Sequence, residues 1–357
     1  MTRPRLRDLG IAVGRLPPGP LNAITDVAGV RVGHATVIAD TPHTVRSGVT
    51  AIWPRGPDIW DNFVFAGGHS FNGNGEMTGL VWIAEQGLLG SPIAITNTHA
   101  VGVVRDAICA YAIRAGARQA FHLPVVAETS DAWLSDPAAF AVTQDHAWEA
   151  LDSAVAGPVA EGNVGGGTGM ISHEFKAGIG TASRRVTTAG RSVCVGALVQ
   201  ANYGPRELLR VDGVPVGREI GRDVVPSARP QRVESGSIIV ILATDAPLLP
   251  IQCQRLARRA TTGLAWAGGF GANSSGDIFL AFSTGNSVPM DAGLVDVVML
   301  GADAMTPLFE AAAEATEEAI LNALVAAETM TGQQGRVAPA LPHDRLVAAM
   351  RRYRRID

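Results

Sequence analysis

Apolar residues follow two different spacings along this chain, and the two alternate from the first third to the end. Apolar residues at every second position, or in short runs rich in Val and Ile, predict β-strands, whereas repeats at three and four predict helices that bury one face. The predicted strands are residues 30–36, 48–53, 92–96, 124–127, 192–200, 238–242, 277–282 and 295–300. The predicted helices are residues 76–86, 101–114, 142–155, 250–267, 306–331 and 343–353.

Strands and helices are mixed in both halves of the chain, and the helices are amphipathic. Because sheets covered by helices bury such faces, we predict an α/β fold with two sheets packed between two layers of helices. Residues 211–234 interrupt the pattern, since they are rich in Pro, Arg, Gly and Asp and carry few apolar clusters. We interpret them as a linker that ends at Gly236, just before a buried strand.

Composition narrows the class of protein. Of the 357 residues, 47% are hydrophobic and 17% are charged, which predicts a globular protein with a large core. The net charge is −4 and the basic residues form no stripe, so we expect no nucleic-acid partner. No apolar run is long enough to span a membrane and no signal-like segment opens the chain, so we expect no membrane partner and a cytoplasmic protein.

Common catalytic and ligand-binding signatures are missing from the sequence. The eight histidines show no paired ligand spacing, and the three cysteines lie far apart, so we expect no metal ion and no cofactor. The glycine-rich residues 165–170 do not match a nucleotide-binding fingerprint, and we interpret them as a tight turn. No Gly-x-Ser-x-Gly elbow is present to support a histidine-based hydrolase.

One remaining way to activate a hydroxyl is to place Ser or Thr at a chain terminus. The α-amine there has a reference pKa of about 7.7–8.0 and can accept the hydroxyl proton. Ser237 suits this role if the chain is cut before it, because it opens a rigid strand and follows Gly236, a residue type that tolerates strained backbone. A Gly-Ser pair is more often only a turn, so the pair alone leaves both interpretations open.

Eight segments, in a shared order over nearly the whole chain, resemble the L-aminopeptidase/D-esterase family of self-processing serine peptidases, which includes the β-peptidyl aminopeptidases. They are residues 22–34, 72–79, 92–99, 126–131, 165–170, 198–204, 236–250 and 273–282. The resemblance implies a single αββα domain over residues 1–357, of the N-terminal-nucleophile type, cut into subunits of residues 1–236 and 237–357. It also implies a homo-oligomer, commonly a tetramer.

The same resemblance implies roles for individual residues. Ser237 matches the nucleophile, with its freed amine as the natural general base and a serine and carboxylate relay as the alternative that would share this duty. Ser275 and Asp277 match a serine and its acidic partner, which lie two positions apart and so face the same way on a strand. Asn202 matches the donor of an oxyanion hole, and Glu128 matches the residue that holds the substrate's ammonium group.

Two positions depart from the family pattern. The acidic partner is often Glu, whereas here Asp277 is one methylene shorter, which leaves its reach to Ser275 open. Some members have a Tyr that assists the oxyanion hole where this chain has Ser130, so a second donor is not assured by the sequence.

The resemblance therefore predicts a serine aminopeptidase that removes the N-terminal residue of short peptides, amino-acid amides or esters through an acyl-enzyme on Ser237. Two alternatives remain at this point. One is an acyltransferase of the ornithine acetyltransferase type, which uses a Thr nucleophile. The other is an uncut, non-catalytic binding protein in which Gly236 and Ser237 form only a turn.

Overall fold

The computed structural model describes residues 3–227 and 236–357. The strands, numbered in chain order, are β1 (Arg31–Ala39), β2 (Val45–Trp53), β3 (Asn62–Gly73), β4 (Leu88–Leu89), β5 (Ile93–Thr96), β6 (Val125–Glu128), β7 (Ile171–Ser172), β8 (Phe175–Lys176), β9 (Ile179–Thr188), β10 (Arg191–Asn202), β11 (Ser237–Thr244), β12 (Gly276–Pro289), β13 (Met330–Thr331) and β14 (Val337–Ala338). The α-helices are α1 (Leu80–Gln86), α2 (Val101–Arg114), α3 (Gln144–Asp152), α4 (Val216–Glu219), α5 (Pro250–Ala257), α6 (Ala260–Trp266), α7 (Thr306–Val325) and α8 (His343–Arg352).

Two sheets form the middle of the molecule. One has four strands in the order β1-β2-β5-β6, and the other has six in the order β4-β3-β12-β11-β10-β9. Buried residues of both sheets pack into one core, among them Val49 and Ile95 of the first sheet and Leu198 and Leu280 of the second. Helices α2 and α3 cover the outer face of the first sheet, and α5 and α7 cover that of the second. This order of layers confirms the predicted four-layer αββα sandwich.

Strand β11 runs through the middle of the six-stranded sheet, antiparallel to β10 and parallel to β12. All eight of its residues are buried. Alternate side chains enter two cores, since Ile239 and Ile241 point between the sheets while Ile238 and Val240 point under the helices. An unbroken Ile and Val run is what a strand covered on both faces requires, which is why the sequence pattern identified it.

Strands β3 and β9 were not predicted, because polar residues or glycines occupy some of their buried positions and break the apolar pattern. In β9, Arg184 is fully buried and pairs with Glu314 and Glu318 of α7 at 2.8 and 2.7 Å. Charged residues are rarely buried unless they are paired. The pattern of a single strand does not show that its partners lie about 130 residues away.

Some predicted elements have different bounds, and one was wrong. The predicted strand at 295–300 is irregular, and Val298 in it is 52% exposed, with its N–H and carbonyl bonded to the Asn286 side chain at 2.8 and 3.0 Å. The predicted helix at 250–267 is two helices, with the break at Arg258 and Arg259. The long helix ends at Val325 rather than at position 331. Within the predicted linker, α4 lies in the first part, and residues 228–234 fall outside the described residues.

Candidate active site

Three strand ends meet at one edge of the six-stranded sheet. Asn202 is the last residue of β10, Ser237 the first of β11 and Gly276 the first of β12. Asn202 lies opposite Ser237 in the antiparallel pair, and Ser237 lies opposite Gly276 in the parallel pair. Sheet register therefore brings together residues that are 35 and 39 positions apart in the sequence.

The Ser237 hydroxyl lies against the carbonyl group that precedes it in the chain. Its Oγ donates a hydrogen bond to the Gly236 carbonyl oxygen at 2.7 Å and accepts one from the Gly276 N–H at 3.2 Å. The same Gly276 N–H also donates to the Gly236 carbonyl oxygen at 3.2 Å. One main-chain donor thus serves both the hydroxyl and the carbonyl.

Glycine is required at both positions for reasons of space. A Cβ at residue 236 would lie 2.6 Å from the Tyr203 Cα, and one at residue 276 would lie 2.5 Å from the Asn74 carbonyl oxygen. Such distances to backbone atoms cannot be relieved by turning a side chain. The two glycines therefore allow the close approach of the chains around Ser237.

Ser275 and Asp277 form a buried pair beside Ser237. The Ser275 hydroxyl donates to the Asp277 carboxylate at 2.7 Å, so the shorter side chain does reach its partner. Burial raises the pKa of Asp277, and the hydrogen bonds from Ser275 and from the Ile238 N–H partly offset this rise. Within the described residues, no hydrogen bond joins this pair to the Ser237 hydroxyl.

The pair and the hydroxyl lie on different faces of the sheet. Asp277 pairs with Ile238 in the parallel register, and Ile238 points towards the helices. Ser237 points the other way, between the sheets, as Ile239 does. The Ser275–Asp277 pair therefore approaches the main chain next to Ser237 and not its hydroxyl.

Asn202 is buried with its side-chain amide held at both ends. Its Oδ1 accepts the Ile171 N–H at 3.0 Å, and its Nδ2 donates to the Ser130 carbonyl oxygen at 2.9 Å. Since an amide nitrogen carries two hydrogens, one donor remains for a substrate. Ser130 thus orients Asn202 through its main chain, while its own Oγ accepts the Ala132 N–H at 3.4 Å.

Glu128 is buried at the end of β6, in the four-stranded sheet. One carboxylate oxygen accepts the Glu76 N–H at 3.0 Å, and the other accepts the Thr98 hydroxyl. Burial raises the pKa of Glu128, the two hydrogen bonds lower it, and the nearby charge of Glu76 raises it further. The carboxylate is therefore held in place by groups that follow strands of both sheets, since Thr98 follows β5 and Glu76 follows β3.

A cavity of about 1140 Å³ joins these groups. Ser237, Asn202, Glu128 and Ser130 all line it. Its volume is large enough for a peptide substrate, since ligand pockets commonly measure about 300–1,000 Å³. Gly236 lines it as well, so five of the predicted site residues face one space.

Sequence reasoning missed four residues of the site. Gly276 acts through its main-chain N–H, which no residue letter reveals. Thr98 and Glu76, which hold Glu128, lie in segments that resembled the family but had been given no role. Asp131 also lines the cavity, and burial raises its pKa to about 6.

The glycine-rich turn of residues 165–170 packs against β10, the strand that ends at Asn202. A Cβ at Gly166 would lie 2.2 Å from the Gln200 side-chain oxygen, and one at Gly167 would lie 2.4 Å from the Ile179 nitrogen. The turn therefore packs closely against β9 and β10. It leads into Ile171, whose N–H holds the Asn202 amide.

Comparisons with known proteins show the family to which the chain belongs. The sequence model of peptidase family S58 matches residues 22–338. Beta-peptidyl aminopeptidase BapA of Sphingosinicella microcystinivorans is 47% identical, over 99% of this chain and 93% of the relative.

Solved structures are similar over the same extent. A β-aminopeptidase from Burkholderia sp. has a TM-score of 0.92 and 52% identity, covering 98% of this chain and 99% of the other. The L-aminopeptidase D-Ala-esterase/amidase of Ochrobactrum anthropi has a TM-score of 0.93 and 45% identity, covering 99% and 100%. The latter is described as a prototype of the serine aminopeptidases and as a variant of the N-terminal-nucleophile hydrolase fold.

These matches confirm the family resemblance, because they extend over nearly the whole chain at high identity. They support the aminopeptidase prediction over the acyltransferase and the non-catalytic binding protein. The chain belongs to peptidase family S58 and is a serine aminopeptidase with the N-terminal-nucleophile hydrolase fold.

Proposed function

We propose that the chain cuts its own peptide bond between Gly236 and Ser237 and then removes N-terminal residues from short peptides, amino-acid amides or esters. The observation that carries this proposal is the 2.7 Å contact between the Ser237 Oγ and the Gly236 carbonyl oxygen. An N-to-O acyl shift starts from a hydroxyl beside the preceding carbonyl. The products are residues 1–236 and 237–357, which remain together as one folded domain.

The cut proceeds through an ester. The Ser237 Oγ attacks the Gly236 carbonyl carbon, its proton passes to the Ser237 nitrogen, and the C–N bond then breaks to leave an ester and a free amine. Water then hydrolyses the ester, which releases the Gly236 carboxylate and leaves Ser237 with a free hydroxyl and a free amine. The Gly276 N–H donates to the oxygen on which negative charge develops, so it stabilises the tetrahedral intermediate.

Substrate hydrolysis uses the amine that the cut liberates. This amine accepts the Oγ proton, Oγ attacks the substrate carbonyl carbon, and the leaving amine or alcohol departs with a proton. Water then attacks the acyl-enzyme and releases the N-terminal residue as a free acid. The Ser275–Asp277 pair lies beside the main chain at this point, where it orients the amine and stabilises it when it is protonated.

Binding and stabilisation of the substrate fall to groups that line the cavity. The Glu128 carboxylate pairs with the substrate's ammonium group, which explains why a free amino end is required. The second hydrogen on the Asn202 Nδ2 donates to the substrate oxygen, and the Gly276 N–H is the second donor, freed once the Gly236 carbonyl leaves. Ser130 contributes by orienting Asn202 through its main-chain carbonyl. Its own hydroxyl does not take over the role of the Tyr hydroxyl found in some members.

Assembly and compartment remain predictions. A homo-oligomer, commonly a tetramer in this family, is supported by exposed apolar residues such as Leu294, Val298 and Met299, which offer a surface for a second copy. Sedimentation analysis of the purified protein measures the assembly directly. None of the helices in residues 3–227 and 236–357 has the length and apolar run that a membrane crossing requires. The cytoplasm is expected from the sequence alone.

The experiment that tests the proposal is a Ser237→Ala variant beside a matched Ser287→Ala control, since Ser287 is exposed on β12. A denaturing gel and mass spectrometry of the wild type and the control should show two polypeptides of 236 and 121 residues. The Ser237→Ala chain should stay whole and hydrolyse no amino-acid amide. A fully active wild type with an intact Gly236–Ser237 bond would refute the scheme.

A further inference from the structure

An exposed aromatic residue stands in the wall of the catalytic cavity. Phe140 is 70% exposed and lines the cavity together with Ser237. Its backbone is in the left-handed region, with φ 44° and ψ 42°. This conformation is unfavourable for a bulky side chain, and such residues concentrate at ligand-binding positions.

The Phe140 ring is held in place because it stacks on the His99 ring. The two ring centroids are 5.4 Å apart and the planes differ by 14°. His99 is held in turn by a hydrogen bond between its Nδ1 and the Pro137 carbonyl oxygen at 3.0 Å. A stacked and anchored ring is a rigid surface.

This aromatic wall is joined directly to the ammonium site. His99 follows Thr98, whose hydroxyl donates to the Glu128 carboxylate. A substrate fixed by Glu128 is therefore fixed relative to the Phe140 ring as well. Val103, Ala139 and Val142 add further apolar surface to the same cavity.

An exposed aromatic ring gains free energy when an apolar group covers it. Covering removes apolar surface from water, and ring-to-ring contact adds to that gain. A small or anionic group provides neither contribution. The ring consequently discriminates between substrates by the size and polarity of the group that lies on it.

We propose that Phe140 is a specificity-determining residue whose ring contacts an apolar side chain of the substrate, so that aromatic substrates are hydrolysed in preference to small ones. The apolar group belongs either to the released first residue or to the leaving residue. This inference rests on the proposed aminopeptidase chemistry at Ser237.

Two pairs of substrates separate the two placements. Phenylalanine amide against alanine amide varies the first residue, and Ala-Phe-amide against Ala-Ala-amide varies the leaving residue. For at least one pair, Phe140→Ala should lower the aromatic preference in kcat/KM about tenfold, mainly through a higher KM for the aromatic member. The matched control is Phe121→Ala, because Phe121 is 68% exposed and lines a different surface depression. It should leave both preferences unchanged.

A glycine variant separates specificity from folding. Phe140→Gly suits the left-handed backbone, so it should melt no lower than the wild type and still lose the aromatic preference. Unchanged preferences for both pairs in Phe140→Ala, with an active enzyme, would overturn the inference and leave the proposed function intact. A cut wild type that hydrolyses none of the four substrates would instead overturn the proposed function.

Discussion

Replacing Asp277 with asparagine isolates the charge of the buried Ser275–Asp277 pair. The substitution keeps the size of the side chain and an oxygen that can accept the Ser275 hydroxyl, which now donates at 2.7 Å. It removes the negative charge that we propose stabilises the protonated amine of Ser237. The shape of the site is thereby conserved while its electrostatics change.

The magnitude follows from the contact that we propose between this pair and the protonated amine of Ser237, which forms only as the reaction proceeds. A bond to a charged partner contributes about 1.5–3 kcal/mol, against about 0.5–1.5 kcal/mol for a neutral one. Losing a difference of about 1–1.5 kcal/mol in the transition state lowers kcat about tenfold. We therefore expect a fall of about tenfold in kcat from Asp277→Asn.

Stability should change in the opposite direction. Burial raises the pKa of Asp277, so the folded protein binds this proton more tightly than the unfolded chain does. Stability is then lost as pH rises from the ordinary carboxyl pKa through the raised one. Asp277→Asn removes that loss, and we expect its unfolding midpoint at pH 7 to equal or exceed that of the wild type.

The assay measures kcat on an amino-acid amide together with urea unfolding at pH 7. Self-cleavage is followed first on a denaturing gel, and a slower appearance of the two polypeptides serves as the readout if the variant matures poorly. Asp245→Asn is the control, because Asp245 follows the other end of β11, has a pKa raised by burial and lies outside the cavity. A cut Asp277→Asn enzyme with the kcat of the wild type would refute the role of the pair.

Three further variants test the other parts of the structure. Glu128→Gln should raise KM about 10- to 100-fold for substrates with a free amine while kcat changes little, and a fall in kcat alone would contradict this role. Because burial raises the pKa of Glu128, the carboxylate becomes protonated at a higher pH than an ordinary carboxyl group. The wild-type KM should therefore start to increase at that higher pH as the solution is acidified. Asn202→Ala should lower kcat about 10²- to 10³-fold in steady-state assays, and a normal kcat would exclude Asn202 from the oxyanion hole. Arg184→Met should lower the free energy of unfolding by about 3–5 kcal/mol in urea, because Glu314 stays buried without its cationic partner and Glu318 keeps only Arg7; a loss below 1 kcal/mol would show that the core tolerates removal of this cation.

Much of the fold could be predicted from local patterns of apolar and polar residues along the chain. The Ile and Val run after Ser237 predicted a strand covered on both faces, and β11 has that position in the sheet. The two-residue spacing of Ser275 and Asp277 predicted that they face the same way, and their hydrogen bond agrees. Roles for Asn202 and Glu128 came only from the family resemblance. Their spacing alone singled out neither.

The sequence by itself therefore determined most of the segments that form strands and helices, where the chain changes from linker to core, and which serine stands at that junction. Only the tertiary structure decided that Asn202, Ser237 and Gly276 share one sheet edge, because strand register depends on partners far apart in the chain. It also decided that a main-chain N–H, which has no letter in the sequence, faces the Gly236 carbonyl oxygen. Ion pairing also allows the core to hold residues whose charge marks them in the sequence as surface residues, as it does for the fully buried Arg184. Side-chain chemistry is local, whereas the positions that make it catalytic are set by long-range packing.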